Sequence, residues 1–573
     1  MVFIRKAIIA KRFQQAKRMR QAKRPKQAKR NGKNYIDSLP EELLCMVFDR
    51  LNLKNVKAAS LTCHKWNDII FFSGYANRFI FKINMHVSIP DSIGYHLHSM
   101  HRKQKLLELE ELRKTHAEQT IRAITQSPRS YRSVKCETNE TMCPHNPSLL
   151  AAIHQKFGNC LNTLELSFDG ATMTNMFPWI VETIPLMPQL GTLKLEDHDR
   201  RTRLQDTLPT LRSQTLKHLV MRTNFKFGID VPQLQSFDGL LPVLDRSIDS
   251  RQPLVITSLK HLTIREERYD IGSKTTVTRG PSIIRLLPSI ESMVWEDDIL
   301  DDEIFLAICE ACTMLTDLKF TCSVWLSKIG IFSNLLKLTN LRKFSIESLC
   351  TDDESPLHLD FSSLTKLEKL AIVESGVDSL ILPKSVKSLQ LVVDKENKQR
   401  MRKTIINCSK QLIELGLVFV DWYNSEQKIP IETLRILPQL TNLETLEFTC
   451  GFFTKSTFLC LKSPMDRLRT LKLERDCVDT RRFLGLKEKF PNLKKVVMQT
   501  DNPRLVQTST NPELYSAPAT NINARSQSDF SDSDIDSFNS DLESDSFNSD
   551  SESETSFDTD GGTFSDSEEE LYY

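Results

Sequence analysis

One spacing dominates this sequence. An apolar residue is followed three and five positions later by two more, and the triplet keeps returning. It runs through Leu161-Leu164-Leu166, Leu190-Leu193-Leu195, Leu216-Leu219-Met221, Leu259-Leu262-Ile264, Ile290-Met293-Trp295 and Leu315-Leu318-Phe320. It continues through Leu341-Phe344-Ile346, Leu367-Leu370-Ile372, Val386-Leu389-Leu391, Leu412-Leu415-Leu417, Leu443-Leu446-Phe448, Leu468-Leu471-Leu473 and Leu493-Val496-Met498. Degenerate copies stand at Tyr131-Val134-Cys136 and Leu234-Phe237. The steps from Leu315 to Leu341 to Leu367 are both 26 residues, and those from Leu443 to Leu468 to Leu493 are both 25. Alternation in the last three positions places two side chains on one face of a short strand and the residue between them on the other. A unit of that size cannot bury its own apolar face, so each copy must be completed by its neighbours in a stacked, quasi-one-dimensional array.

The period and the pattern resemble the leucine-rich repeat, whose unit is one short strand and a returning helix or turn. The resemblance implies a curved parallel sheet with helices and turns outside. Prolines before several copies, as in Met187-Pro188-Gln189-Leu190 and Phe490-Pro491-Asn492-Leu493, should end the preceding helix. The Asn or Cys ladder that usually follows the strand is missing at most copies, so irregular repeats are expected. The concave strand face is the default target-binding surface. Its early outward residues lean basic, which suits an acidic or phosphorylated partner. The residues singled out there are Lys194, His218, Arg222, His261, Arg265, Lys319 and Lys343, and of the rarer Trp179, Trp325 and Trp422 the best candidate hot spot is Trp422.

Ahead of the array, residues 36–70 read as a compact helical unit. Pro40 suits a first helical turn, and Glu41 and Glu42 suit the positive end of the helix dipole. Leu43, Leu44, Val47, Phe48 and Leu51 follow helical spacing. Two shorter helices carry Val56 and Ala59, then Cys63, Trp66, Ile69 and Ile70. About thirty-five residues cannot bury so many apolar groups alone, so the surplus should face a partner. The residues Leu39-Pro40-Glu41, the hydrophobic helix behind them and the terminal Cys63-x-x-Trp66 resemble the F-box motif; Thr62 departs from its usual aliphatic residue. In that family the motif docks on a Skp-type adaptor carried by a cullin scaffold. By resemblance, Leu39, Pro40, Leu43, Leu44, Val47, Phe48, Leu51 and Trp66 would hold the adaptor.

Charge is segregated toward the ends. Residues 1–34 hold 13 Lys/Arg and no acid, while residues 525–573 hold 16 Asp/Glu and one Arg. Three QAKR copies bring Lys17, Arg18, Lys23, Arg24, Lys29 and Arg30 into a basic leader fit for nuclear targeting or weak nucleic-acid contact. The acidic tail repels itself and is expected to stay disordered, as is the leader. Ser531, Ser533, Ser540, Ser549, Ser551, Ser565 and Ser567 each precede an acid by three residues, a pattern for an acidophilic kinase. The scattered cysteines fit a reducing compartment, and no apolar run reaches the ~20 residues that cross a bilayer.

The expected organisation is therefore a basic leader (1–34), an F-box (35–75), a connector with a long helix (76–128), an irregular repeat array (129–500) and an acidic, Ser-rich tail (501–573). The fold class is α/β, a three-helix F-box followed by a leucine-rich-repeat solenoid. No nucleotide, serine-hydrolase or zinc-protease motif is present, and Cys309-x-x-Cys312 stands without a second pair. The order of parts resembles the F-box/leucine-rich-repeat family, described as non-catalytic receptors of SCF ubiquitin ligases. That implies a Skp-type adaptor, a cullin, an unidentified target protein, no cofactor, no metal and no membrane, in the nucleus, the cytoplasm or both. A ligase-independent nuclear scaffold working through its charged tails is the alternative reading.

Overall fold

The structure, a computed structural model, describes residues 39–517 apart from 73–74, 76–78, 86–101, 140–144, 170–171, 198–209, 223–227, 242, 245–256, 266–279, 297–298, 353–356, 374–376, 394–397, 420–430, 451, 475–481, 500–506 and 510–514. The basic leader, the acidic tail with its serines, His96, His98, His101 and Trp422 all lie outside the described residues.

Sixteen strands pair in parallel, in chain order, as one ladder. They are β1 (Ile80–Asn84), β2 (Ser133–Asn139), β3 (Thr163–Asp169), β4 (Thr192–Asp197), β5 (His218–Arg222), β6 (Ser236–Gly239), β7 (His261–Arg265) and β8 (Ser292–Glu296). There follow β9 (Asp317–Leu326), β10 (Lys343–Thr351), β11 (Lys369–Ile372), β12 (Ser388–Val393), β13 (Glu414–Phe419), β14 (Thr445–Thr449), β15 (Thr470–Glu474) and β16 (Lys495–Gln499). Gln507–Ser509 closes the described sheet, antiparallel to β16. The ladder begins earlier than residue 129. A strand within the connector is its first rung, pairing Phe81 with Val134 and Ile83 with Cys136.

Register follows the repeat at every step. Leu164 lies opposite Leu193, Leu193 opposite Leu219, and Leu219 opposite Phe237. One carbonyl at each strand entrance accepts two amides from the next repeat. The carbonyl of Asn162 takes Gly191 and Thr192 (both 2.9 Å), and that of Glu368 takes Lys387 and Ser388 (2.8 and 3.0 Å). The relay runs on to Arg469, which accepts from Lys494 and Lys495. Side chains brace the same seam: the amide nitrogens of Asn340, Asn442 and Asn492 donate to the carbonyls of Thr313 (3.1 Å), Lys410 (2.7 Å) and Asp466 (2.8 Å). The asparagine brace thus precedes the strand rather than following it.

The outer layer varies with the room that each step allows. Most steps of 25 residues or more return through a helix or 3-10 turn, such as Asn146–Phe157, Asp302–Ala311 or Lys398–Asn407. The two shortest steps, into β6 and β12, return through extended segments. Gly228–Asp230 and Val377–Ile381 each pair with a strand of the preceding repeat, Thr210–Arg212 and Leu357–Asp360.

The helical unit is α1 (Glu41–Asp49), α2 (Leu53–Ala59) and α3 (His64–Phe72), and the connector helix α4 is Arg102–Gln126. Among the described side chains of α4, Leu109, Ala117 and Ile124 are buried and Leu112 is exposed. The unit shares one apolar core with the sheet, running from Leu44 to Met498. Aromatic rings carry it across: Phe71 meets Phe79 (5.3 Å), Phe81 stacks on Tyr131 (4.8 Å), and Tyr131 meets Phe157 (5.9 Å, edge-on). Part of the surplus apolar surface predicted for a partner is therefore used to cap the first repeat. Removing a core leucine from a repeat, Leu415→Ala, is expected to cost ~2–5 kcal/mol in a denaturant titration. Thr445→Ala, on the partly exposed sheet face, should change stability by less than ~0.5 kcal/mol.

Candidate partner-docking surfaces

The helical unit is held from inside. Pro40 stands immediately before α1, and its carbonyl accepts the Leu44 amide (3.1 Å). Leu44 and Phe48 point inward, and the Phe48 ring meets Trp66 (5.4 Å) and Tyr75 (5.8 Å) edge-on. Asn52 caps α2 by accepting the Asn55 amide (2.9 Å), and Lys65 on α3 donates to the Leu39 carbonyl (2.8 Å), tying the last helix to the entrance of the first. Leu44 and Phe48, counted from sequence among the adaptor contacts, are therefore core residues. Helical spacing alone does not separate the inner from the outer stripe of a helix that is apolar on both.

The outer stripe is distinct. Leu43, Met46 and Val47 are 45, 62 and 48 % exposed, one turn apart on one side of α1, and Leu61 after α2 is 86 % exposed. Pro40 is exposed as well, and Leu39, Leu51 and Trp66 are half-buried at the edge of the core. Met46 and Leu61 were not singled out in the sequence. Their signal was the surplus of apolar residues over what three short helices bury. Single exposed leucines are common, but four large apolar side chains on so small a unit make it a candidate docking surface.

Residues 36–74 match the F-box-like family model. The chain carries an F-box-like unit ahead of a repeat solenoid of parallel strands with leucine-rich spacing. No curated protein matches the sequence. Among solved structures, an internalin from Listeria monocytogenes aligns at 17 % identity over 50 % of this chain and 82 % of its own, with a TM-score of 0.27. The TLR13–ssRNA13 complex aligns at 15 % identity over 64 % of this chain and 59 % of its own, with a TM-score of 0.33. At such scores neither carries an argument about function.

The outward strand face of the array is charged but largely self-neutralised. Lys194 holds Glu165 (2.6 Å), Arg222 holds Glu196 (3.2 Å), Lys343 holds Asp317 (2.5 Å), and Lys472 holds Glu447 (2.7 Å). Arg265 takes Asp238 with two N–H groups on one side and Glu296 on the other (2.6 Å). Those contacts raise its already high pKa, the hydrogen bonds with Asp238 being the largest cause. Lys319 lies 3.8 Å from Glu347. The basic lean read from the sequence is thus offset: these six cations each face an acid on a neighbouring strand. The signal was available, because Glu165 and Lys194, like Glu447 and Lys472, occupy the same position of successive triplets. His218 and His261 sit exposed along the entrance edge of the sheet.

Cys309 and Cys312 are fully buried, and burial pushes both thiols up to about 12. Among the described residues, no three His, Cys, Asp or Glu side chains gather as a metal group. An alkylating reagent at pH 8 is expected to modify the exposed Cys450 in the native chain and to reach Cys309 and Cys312 only after denaturation, read by peptide mass spectrometry. Phe48→Ala should lower the stability of the helical unit by ~3–5 kcal/mol. Leu43→Ala should leave that stability nearly unchanged, which thermal melts of the two variants would separate.

Proposed function

We propose that this chain is a non-catalytic substrate-recognition subunit of a cullin-based SCF ubiquitin ligase. The outer stripe of the F-box docks a Skp-type adaptor, and the repeat array holds a target protein. The observation that carries the reading is the exposed set Leu43, Met46, Val47 and Leu61 on a motif whose inner residues are already satisfied. An adaptor covering that stripe would remove it from water, at roughly 25 cal/mol per Å² of apolar surface. The core that runs from the F-box into the first repeats supports a second feature of the reading. A receptor that works by proximity gains from a stiff connection, because a held target lysine is then presented at high effective concentration to the ubiquitin-loaded enzyme. In this reading the chain supplies geometry and no reacting group. It works in the nucleus, the cytoplasm or both, with the basic leader as the nuclear-targeting element.

The test is capture of a purified Skp-type adaptor by the full chain. A charge in the middle of the stripe, Val47→Asp, should cost at least about 2 kcal/mol, roughly thirtyfold in affinity, while circular dichroism stays unchanged. Adaptor binding undiminished by Val47→Asp would sink the reading.

A further inference from the structure

The sheet is extended at one place. β9 has 10 residues and β10 has 9, where most rungs have four to seven. Beyond the bulge between Phe320 and Ser323 the two strands pair again, Ser323 with Ser348 and Trp325 with Cys350. On the other flank, the two-residue strand Ile299–Leu300 joins β9, with Ile299 opposite Ser323. Core residues still alternate with face residues here: Leu300, Val324 and Leu349 are buried, while Ile299 and Trp325 are 60 and 48 % exposed. The array therefore carries a small platform beyond the ion-paired rows, with a serine floor and two large apolar side chains on adjacent strands.

The indole is fixed in place. Its Nε1–H donates to the Asp352 carboxylate at 2.8 Å. Acids also rim the platform. Glu296 and Glu347 lie on the side toward the centre of the sheet, and Asp301 and Asp352 lie on the other. Glu296 is held by Arg265, Glu347 is loosely approached by Lys319, Asp301 accepts the Ile304 amide at 2.9 Å, and Asp352 accepts from the indole. Hydrogen bonds of the last two kinds leave the carboxylate charge in place. Lys328 stands three residues past the indole.

We infer that this platform docks a cationic, aliphatic-bearing peptide segment of another protein. A Lys or Arg would lie over the indole face, where the ring quadrupole attracts a cation, and a neighbouring aliphatic side chain would lie on Ile299. The acidic rim favours that charge and disfavours an acidic or phosphorylated segment. The inference rests on the reading of the array as the target-binding part, and it names the chemistry of the target's docking segment. The sheet face was expected to suit acidic partners; the paired cations of the inner rows and the acids of the platform reverse that expectation. A tryptophan with its polar edge already satisfied contributes a rigid, amphipathic anchor at low entropic cost, the kind of residue enriched at binding hot spots.

The test uses the full chain and fluorescein-labelled twelve-residue peptides of alternating Arg and Leu, alternating Glu and Leu, and alternating Ser and Leu, followed by anisotropy. The wild-type chain should bind the Arg peptide most tightly. Trp325→Ala should weaken it about fivefold or more, with partial retention in Trp325→Phe. Paired Glu347→Gln and Asp352→Asn changes should weaken it and flatten its salt dependence. Trp179→Ala, at an equally exposed tryptophan on the helix Thr172–Thr183, should change nothing. Equal binding of the Arg and Glu peptides, or a Trp325→Ala chain that behaves as Trp179→Ala does, would overturn the inference, as would no binding of the Arg peptide at all. The assay is repeated on a chain lacking residues 1–34. Binding that appears only there would make the chain's own basic leader the occupant and also overturn the proposal. Adaptor capture is measured on the same preparations. Loss of adaptor binding with intact peptide binding counts against the ligase reading alone, and the converse counts against the platform alone.

Discussion

Each repeat of this chain is stable only because the next one closes it. The first apolar residue of every triplet from Leu161 to Leu468 is almost wholly buried, yet the wall it packs against belongs in part to the neighbouring repeats. The shared carbonyls impose the same dependence on the backbone, since one acceptor at each strand entrance fixes two amides of the following repeat. Short and long steps are tolerated because this seam is local. A missing helix is replaced outside by extended segments without shifting the strand register. A solenoid of this kind has open ends that must be covered. At the N-terminal end, the cover is the F-box, through Phe71, Tyr75 and Phe79 and the first rung at Ile80–Asn84.

The same geometry sorts the side chains by role. Parallel in-register strands align one position of each triplet across the outward face of the sheet, so charges about 25 to 31 residues apart in sequence become neighbours. Lysines and arginines that look free in the sequence are spent on acids of adjacent strands, and such pairs are worth little to stability one by one when exposed. Their larger effect is on recognition, because they leave the inner rows close to electrically balanced. What stands out is the surface that breaks the pattern, where β9 and β10 run on and carry a fixed indole among acids.

Much of this was legible in the residues. The repeat spacing marks the strand positions and the inward leucines, because period and burial are the same physical fact, while the parallel order came with the resemblance to leucine-rich repeats. The F-box was legible by resemblance, through Leu39-Pro40-Glu41 and Cys63-x-x-Trp66, and helical spacing added only the apolar run behind them. Less legible was which of two apolar stripes on α1 faces out, since Leu43 and Leu44 are chemically alike and only burial in the fold, beside Phe48 with its Trp66 and Tyr75 contacts, separates them. Nor did the sequence reveal that RFIFKINM belongs to the sheet, because Phe79, Phe81 and Ile83 lack the leading apolar residue of the triplet. Trp325 was one aromatic among several until strand length and the Asp352 hydrogen bond set it apart.

The proposed function joins two surfaces that share one apolar core: an apolar stripe on the F-box for an adaptor and the strand face of the array for a target. Hydrogen–deuterium exchange of the full chain, alone and with a purified Skp-type adaptor, tests that division most directly. The account predicts added protection confined to α1, α2 and the residues around Leu61, with exchange in β9 to β16 unchanged. Protection along the repeat strands with none in the F-box would contradict it.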